Sequence, residues 1–239
     1  MRAEEVKSKY LATFKTGSIH MLFSPLHFAL LLFVLGLLMA LAQFGLMSLT
    51  FHKLGLSTES GFLLLFSSLV GSAINLPLFT VRAETATYPI PPIFHGLLPR
   101  MKLPFTGETL IDVNIGGGLI PIGFSLYLFK QSALGIAQVV PAIAWVAALS
   151  YLLSRPIPGL GIAMPIFVAP VAAALAAILL GGEGSPALAY ISGSLGVLIG
   201  ADLLRLRDIP RLGAPIASIG GAGTFDGIFI TGLLAVLLS

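Results

Sequence analysis

The sequence contains no cysteine, so disulfide bonds, thiolate metal ligands and cysteine nucleophiles are all excluded. Charge is scarce as well. Only 10% of the 239 residues are Asp, Glu, Lys or Arg, whereas a soluble domain carries about 25%. This number of charged residues is too small to cover the surface of a soluble protein. Together with 56% hydrophobic residues and a mean hydropathy of +1.01, this scarcity indicates an integral membrane protein.

Long apolar runs divide the sequence into membrane spans. A helix that crosses the hydrocarbon core needs about 20 mostly apolar residues, and seven segments meet this requirement. We therefore predict an all-α fold: a polytopic membrane helix bundle with about seven transmembrane helices. It forms a single membrane domain over residues 1–239, in which residues 1–26 are a cytoplasmic or interfacial N-terminal segment. The predicted spans cover residues 27–49, 61–81, 110–129, 133–153, 159–180, 186–204 and 216–238.

The basic residues set the predicted orientation, because short cytoplasmic loops carry an excess of Lys and Arg. With the N-terminus in the cytoplasm, only Lys53 and Lys130 of the 13 basic residues fall outside. We therefore predict a multi-pass protein of the cell membrane with its C-terminus outside. The long proline-rich loop 82–109 then lies on the cytoplasmic side. The basic pI of 9.3 follows from this topology, so the expected partner is the lipid bilayer and not nucleic acid.

Three acidic residues lie within predicted spans, where an ionisable side chain is costly and usually functional. They are Asp112, Asp202 and Asp226. Asp202 lies three residues before Arg205, so pairing with a cytoplasmic arginine is one explanation for it. Asp226 would lie about 15 Å deep in a straight helix, but the glycines just before it predict an unwound start of the last span. We therefore expect Asp202 and Asp226 to face each other at one depth on antiparallel spans.

Two asparagines, Asn75 and Asn114, fall in the same cytoplasmic half of the predicted bundle. Hydrogen bonding between helices and contact with a ligand explain them equally well. Three glycines follow Asn114 and predict a broken helix there, which is tolerated where the backbone lines a cavity or packs on protein. We interpret Asp112 first as a helix N-terminal residue favoured by the helix dipole, with a functional role as the alternative.

Small residues recur at helical spacing beside the two aspartates. Ser192, Gly196 and Gly200 form one stripe, and Gly223, Gly227 and Thr231 form a second next to Asp226. Such stripes are typical of close helix packing. The four histidines show no metal-ligand spacing, so we expect no metal and no cofactor.

Two short segments carry a resemblance to a known family. The residues Gly223-Thr224-Phe225-Asp226 resemble the Gly-x-Gly-Asp segment of presenilin and signal-peptide-peptidase type intramembrane aspartyl proteases, although Phe225 replaces the second glycine. The residues Ala201-Asp202-Leu203-Leu204 are similar to that family's Tyr-Asp-Leu segment. The resemblance implies that Asp202 and Asp226 form a catalytic dyad that shares a proton and activates water. Over its whole length, the chain looks like a prokaryotic multi-span membrane family of unknown function.

These observations leave several functions open. The first is an intramembrane aspartyl protease-like enzyme, whose dyad hydrolyses transmembrane peptides near the cytoplasmic side, with Asn75, Asn114, Asp112, Gly223 and Gly227 as supporting residues. The second is a proton- or cation-coupled transporter or channel that uses the same acids with the two asparagines, since broken helices also build ion sites. The third is a non-catalytic relative of the proteases. The substrate and the oligomeric state stay open.

Overall fold

The computed structural model of the chain describes residues 36–37, 43–84, 107–157, 161–221 and 227–239. The predicted N-terminal segment, most of the first predicted span, most of loop 82–109, and residues Gly223 and Asp226 lie outside the described residues. The chain divides into two compact units, residues 1–45 and residues 46–239. Apart from the first residues of helix α1, the elements below belong to the second unit.

Within the described residues, helices alternate with short strands. The α-helices are α1 (Gln43–Lys53), α2 (Thr58–Gly71), α3 (Ile120–Gln131), α4 (Ile136–Leu153), α5 (Val168–Leu180), α6 (Ser185–Val197) and α7 (Gly227–Leu238). The strands are β1 (Asn75–Arg82), β2 (Glu108–Asn114), β3 (Arg155–Ile157), β4 (Gly161–Ala163) and β5 (Ile216–Ile219). Two π-helical turns, Ile115–Leu119 and Leu198–Leu203, and two 3-10 turns, Gly182–Gly184 and Leu206–Arg211, connect them.

Helix α6 lies at the centre of its unit and packs against α3, α4, α5 and α7. Residues 188–194 are all buried, so the helix is enclosed on every side. Small residues permit this close packing: a Cβ added at Gly196 would lie 2.6 Å from the Cβ of Val146 in α4. The structure therefore confirms the predicted packing stripe at Gly196 and Gly200, both of which lie directly against α4.

Two helical segments of the described residues are long and apolar enough to cross a membrane. They are α4, with 18 residues, and Gly182–Leu203, with 22. Helices α1 and α2 meet at a bend of 103° and form a third such segment when the bent pair is counted as one span. Large apolar side chains are exposed along α4, among them Trp145 and Leu152. By length and composition, the described residues therefore contain two helical segments that are able to cross a membrane, or three when the bent pair is counted as one.

The described residues are mostly helical, as predicted, but the fold is not all-α, because it contains two small sheets. One sheet has the strand order β1-β2-β5, with β1 and β2 antiparallel and β2 and β5 parallel. Its register pairs Asn75 with Asn114 and Asp112 with Ser218. Strands β3 and β4 form an antiparallel hairpin. The sheet brings together three segments that are far apart in sequence.

Strands β1, β2, β4 and β5 occupy the ends of segments that we predicted as helical spans, whereas β3 lies in the predicted loop between two spans. Helix α2 ends at Gly71 and not near residue 81, and helices α3, α5 and α7 begin at Ile120, Val168 and Gly227. A short apolar run does not distinguish a buried strand from a buried helix by its periodicity. Glycine runs precede helices α3 and α7, which start later than predicted, since glycine disfavours the helix interior. The predicted breaks at the two glycine runs are confirmed at residues 115–119 and 220–221, which are not α-helical.

Lys53 joins the C-terminal ends of helices α1 and α7, which are distant in sequence. Its Nζ donates hydrogen bonds to the carbonyl oxygens of Val236, Leu237 and Ser239, at 3.3, 3.4 and 2.9 Å. The last carbonyls of a helix have no partner within the helix and carry a partial negative charge. The ammonium group therefore caps helix α7 at its C-terminus.

We predict that the close contact between α4 and the turn after α6 limits the side chain at position 200. A Cβ at Gly200 would overlap the backbone carbonyl oxygen of Ala147, and overpacking of this kind costs about 1–3 kcal/mol. Gly200→Ala should therefore lower the midpoint of thermal unfolding of the purified protein, followed by circular dichroism. Gly123→Ala is the matched control, because a Cβ there meets nothing within 4 Å. It should leave the midpoint unchanged or raise it. Equal midpoints for both variants would contradict the packing.

Candidate functional site

Asp202 lies in the π-helical turn that follows helix α6. Its Oδ2 accepts a hydrogen bond of 2.7 Å from the backbone N–H of Gly220, the residue that follows strand β5. A carboxylate gains more from such a bond than a neutral acceptor does. Gly220 has a φ of +85°, and a Cβ there would lie 2.6 Å from the backbone nitrogen of Gly118. A glycine is therefore required where Asp202 meets the end of the sheet.

The arginines near Asp202 do not pair with it. The guanidinium of Arg205 forms an ion pair with Asp208 at 3.0 Å and donates hydrogen bonds to the backbone oxygens of Tyr151 and Ser154. It also lies over the Tyr151 ring, 4.2 Å from the ring centre. Arg205 therefore satisfies the last carbonyls of helix α4. Pairing of Asp202 with Arg205 is excluded as the explanation of that carboxylate.

A cavity of about 340 Å³ opens beside Asp202, within the size range of sites for small ligands. Its walls come from the end of α6, strands β4 and β5, the 3-10 turn Leu206–Arg211 and helix α7. Most lining side chains are apolar, whereas Asp202, Ser218 and Thr231 are polar. The cavity is therefore an apolar pocket in which a few polar groups are available to orient a ligand.

The cavity runs along the edge of strand β5. All four residues of β5 line it, although alternate side chains of a strand point to opposite faces. The other edge of β5 is paired with β2, so the cavity faces the edge that no described strand covers. Gly161 and Ile162 of strand β4 also line the cavity. Strand backbone therefore borders the cavity on β5 and on β4.

Asn114 is the centre of a second polar cluster, on the same sheet. Its Nδ2 donates to the backbone oxygen of Ser72 and to Oδ1 of Asn75, both at 2.8 Å. Its Oδ1 accepts from the N–H of Gly117, also at 2.8 Å, and so caps the first π-helical turn. The hydroxyl of Ser218 donates to the same Asn75 oxygen at 3.1 Å. The structure thus brings the two predicted asparagines into direct contact.

Asp112 lies next to this cluster and is 4% exposed. It belongs to strand β2 and not to a helix, so its interpretation as a helix N-terminal residue is wrong. Asn114 takes the capping position instead, because the helical turn begins only after the strand ends. The Oδ1 of Asp112 is buried and has no hydrogen-bond partner. A buried carboxylate oxygen in this state is costly.

The other predicted site residues are placed only in part. Asp226 and Gly223 lie outside the described residues, so the separation of the predicted dyad stays a prediction. Gly227 opens helix α7, and Ile228 and Thr231 from the first turns of that helix line the Asp202 cavity. Among the described residues, no group of three or more His, Cys, Asp or Glu side chains is arranged to hold a metal ion.

Two residues of the site, Ser218 and Gly220, were not predicted from the sequence as site residues. Ser218 and Gly220 contact Asn75 and Asp202 across 143 and 18 residues of chain. The sequence feature next to both residues is the glycine pair Gly220-Gly221 after a short apolar run, which indicates the end of a strand. That signal identifies a break in the chain but not its partner, since pairing with β2 is a long-range contact.

A family model described as "Protein of unknown function (DUF1614)" matches residues 69–238. The chain belongs to this family. The DUF1614 region includes both sheets and helices α3 to α7, and therefore Asp112, Asn114, Asp202 and Ser218. No curated protein and no solved structure matches the chain.

We predict that Asn114 is required for stability of the sheet. Asn114→Ala leaves the Ser72 carbonyl and the Gly117 amide without their side-chain partner in a buried site, and each buried unpaired group costs about 1–3 kcal/mol. The midpoint of thermal unfolding should fall clearly. Gln131→Ala removes an exposed amide side chain and is the control, for which little change is expected. A similar midpoint for both variants would exclude the proposed role of Asn114.

Proposed function

We propose that this protein is an intramembrane aspartyl protease-like enzyme in which Asp202 and Asp226 form the catalytic dyad. The observation that carries the proposal is the position of the Asp202 carboxylate, on the wall of an apolar cavity that runs along the edge of β5 that no described strand covers. Among the described residues, no cation pairs with Asp202. A carboxylate held by a single backbone N–H and facing a cavity is available for chemistry.

The proposed dyad needs Asp226 in near contact with Asp202. Two carboxyl groups in near contact share one proton, because ionising both of them is energetically unfavourable. The ionised member takes a proton from water as the water oxygen attacks the peptide carbonyl carbon, and the protonated member gives its proton to the carbonyl oxygen. When the tetrahedral intermediate collapses, the C–N bond breaks, the hydroxyl proton returns to the dyad, and the amine leaves with the proton that the dyad took from water. Support comes from helix α7, which begins one residue after Asp226 and whose Ile228 and Thr231 line the Asp202 cavity. No metal or cofactor is part of the proposed reaction.

The strand edge supplies a means of binding the substrate. A peptide bond inside a transmembrane helix is protected, since its carbonyl is hydrogen-bonded within the helix. An extended segment of the substrate is able to add to β5 as a further strand, with main-chain hydrogen bonds for affinity. The β4 strand lines the same cavity, so the added segment would lie between two strands. The proposed substrates are therefore transmembrane peptides that unwind near the cleavage site.

We also propose seven membrane spans, with the N-terminus in the cytoplasm and the C-terminus outside the cell membrane. Contacts between charged residues support this topology. Lys53, assigned to the outside, contacts the C-terminal end of α7. Arg211, assigned to the cytoplasm, forms an ion pair with Glu84 at 3.3 Å, at the cytoplasmic end of the second proposed span. The bilayer is the proposed environment, and no nucleic-acid partner is proposed.

Labelling of single cysteines tests the topology, because the native chain contains none that would interfere. In intact cells, a membrane-impermeant maleimide should label Glu59→Cys, on the proposed outer side, whereas Arg207→Cys should react only after lysis. Both positions are exposed, so reactivity in lysed cells serves as the control for access. Labelling of Arg207→Cys in intact cells would contradict the orientation.

Cleavage assays test the function directly. The purified protein, incubated with transmembrane peptides, should release products, and Asp202→Ala or Asp226→Ala should lower the rate by at least about 1,000-fold, as expected when a group essential to the reaction is removed. Asp208→Asn is a matched control, since it removes a carboxylate six residues away that does not line the cavity. It should retain most of the activity.

Cleavage that persists in both alanine variants would exclude the dyad. Binding of the peptides without cleavage by the wild-type protein would instead favour a non-catalytic relative of the proteases. The two outcomes are separated by measuring peptide binding and product release on the same samples.

A further inference from the structure

We propose that Asp112 and Ser218 form a binding site for a sodium ion on the face of the sheet that carries Asn75 and Asn114. The site is separate from the proposed dyad, and it does not depend on the proposed protease activity. It accounts for a feature that the dyad leaves unexplained, the unpartnered oxygen of a buried carboxylate.

Asp112 carries a free-energy cost because one of its carboxylate oxygens is buried without a partner. Its side chain is 4% exposed, and its Oδ1 is buried without a hydrogen-bond partner. A buried carboxylate oxygen that has lost its hydration needs a compensating positive charge or donor. The two ion pairs of the described residues involve Asp208 and Glu84 and leave Asp112 out. A small cation next to Oδ1 supplies the missing compensation.

The hydrogen bonds around Asp112 run in directions that leave its buried oxygen without a donor. Asp112 and Ser218 are register partners on the parallel strands β2 and β5, so their side chains share one face of the sheet. The Ser218 hydroxyl donates its only hydrogen to Asn75 Oδ1. That same Asn75 oxygen also accepts from Asn114. Among the described residues, no group donates a hydrogen bond to the Ser218 oxygen, and the Asp112 oxygen on the same face of the sheet also lacks a donor. A cation between them would satisfy both oxygens.

The type and charge of the two ligands favour sodium over a divalent ion. The carboxylate of Asp112 and the hydroxyl of Ser218 offer hard oxygen ligands and a single negative charge. The affinity of divalent-ion sites depends on the count of charged ligands, and no cluster of three acidic or histidine side chains occurs in the described residues. A single charge is balanced by a monovalent ion. Breaks in membrane helices supply ligands for Na⁺ in this way.

The site also has a route of access. Ser218 lines the cavity beside Asp202, while Asp112 lies one strand further into the sheet. The exposed Asn75 borders the cluster at the outer strand β1. An ion that enters the cavity therefore reaches Ser218 first and then Asp112.

Thermal unfolding of the full-length purified protein in detergent tests the proposal, with the single Trp145 as a fluorescent reporter. Sodium chloride is titrated against choline chloride at constant ionic strength. A ligand that binds only the folded state raises the unfolding midpoint with its concentration. The midpoint should therefore rise with Na⁺ in a saturable manner. Choline should give no such rise.

Two variants and one control locate the effect. Asp112→Asn should abolish the Na⁺-dependent rise, and Ser218→Ala should weaken the apparent Na⁺ affinity about 10-fold, as expected for the loss of one metal-site oxygen. Glu183→Gln, which removes an exposed carboxylate elsewhere, should behave as wild type. If Asp112→Asn does not fold, the wild type and Ser218→Ala decide the outcome.

Three results would overturn the sodium site. One is an equal rise with choline and Na⁺, which indicates a general salt effect. Another is an unaltered Na⁺ response in Asp112→Asn or, where that variant does not fold, in Ser218→Ala. The third is a wild-type midpoint that does not change with Na⁺, which means that the Asp112 oxygen is compensated without the ion. None of these results bears on peptide cleavage, so the proposed function stands or falls separately.

Discussion

The three hydrogen bonds of the Asn114 side chain join the end of helix α2, the start of strand β1 and the first π-helical turn, and the sheet depends on this junction. They satisfy a carbonyl at the end of helix α2 and an amide in the first π-helical turn, and they fix the Asn75 side chain at the start of β1. In a membrane protein, a backbone group without a partner costs several kcal/mol. A helix is therefore able to stop inside an apolar run only where another group takes over its hydrogen bonds. Asn114 does so for two segments at once.

The position of Asp202 follows from the same interruption of helices. Because residues 75–82, 108–114 and 216–219 leave the helical conformation, they pair with one another as strands. The end of β5 then approaches the first π-helical turn so closely that only glycine fits at position 220. The N–H of this glycine points to Asp202. Arg205, which does not line the cavity, satisfies the carbonyls at the end of α4. Among the described residues, the Asp202 carboxylate therefore faces the cavity without a cation.

The sequence was sufficient to predict those features that depend on local composition. Helix α4 and the long segment that contains α6 agree closely with predicted spans, because uninterrupted apolar runs of this length have few alternatives. The glycine runs correctly predicted breaks. What replaces the helix at each break was not predictable, since the strand partners lie far apart in the chain, as Asp112 and Ser218 do. The polar residues Asn75 and Asn114 were identified individually, but their contact depends on the register of β1 against β2.

Asp202 and Asp112 both lie beside strand β5, but the groups that balance their negative charges differ. Asp202 accepts a hydrogen bond from a backbone N–H and lines a cavity, so part of its charge is balanced while one side stays open to a ligand. Asp112 is enclosed in the sheet, and its buried oxygen has neither donor nor cation among the described residues. Ser218 lies between the two environments, since it lines the cavity and is the register partner of Asp112. The different surroundings explain why chemistry is proposed at one carboxylate and ion binding at the other: an open, partly balanced carboxylate is able to react, whereas an enclosed one first needs a counter-charge.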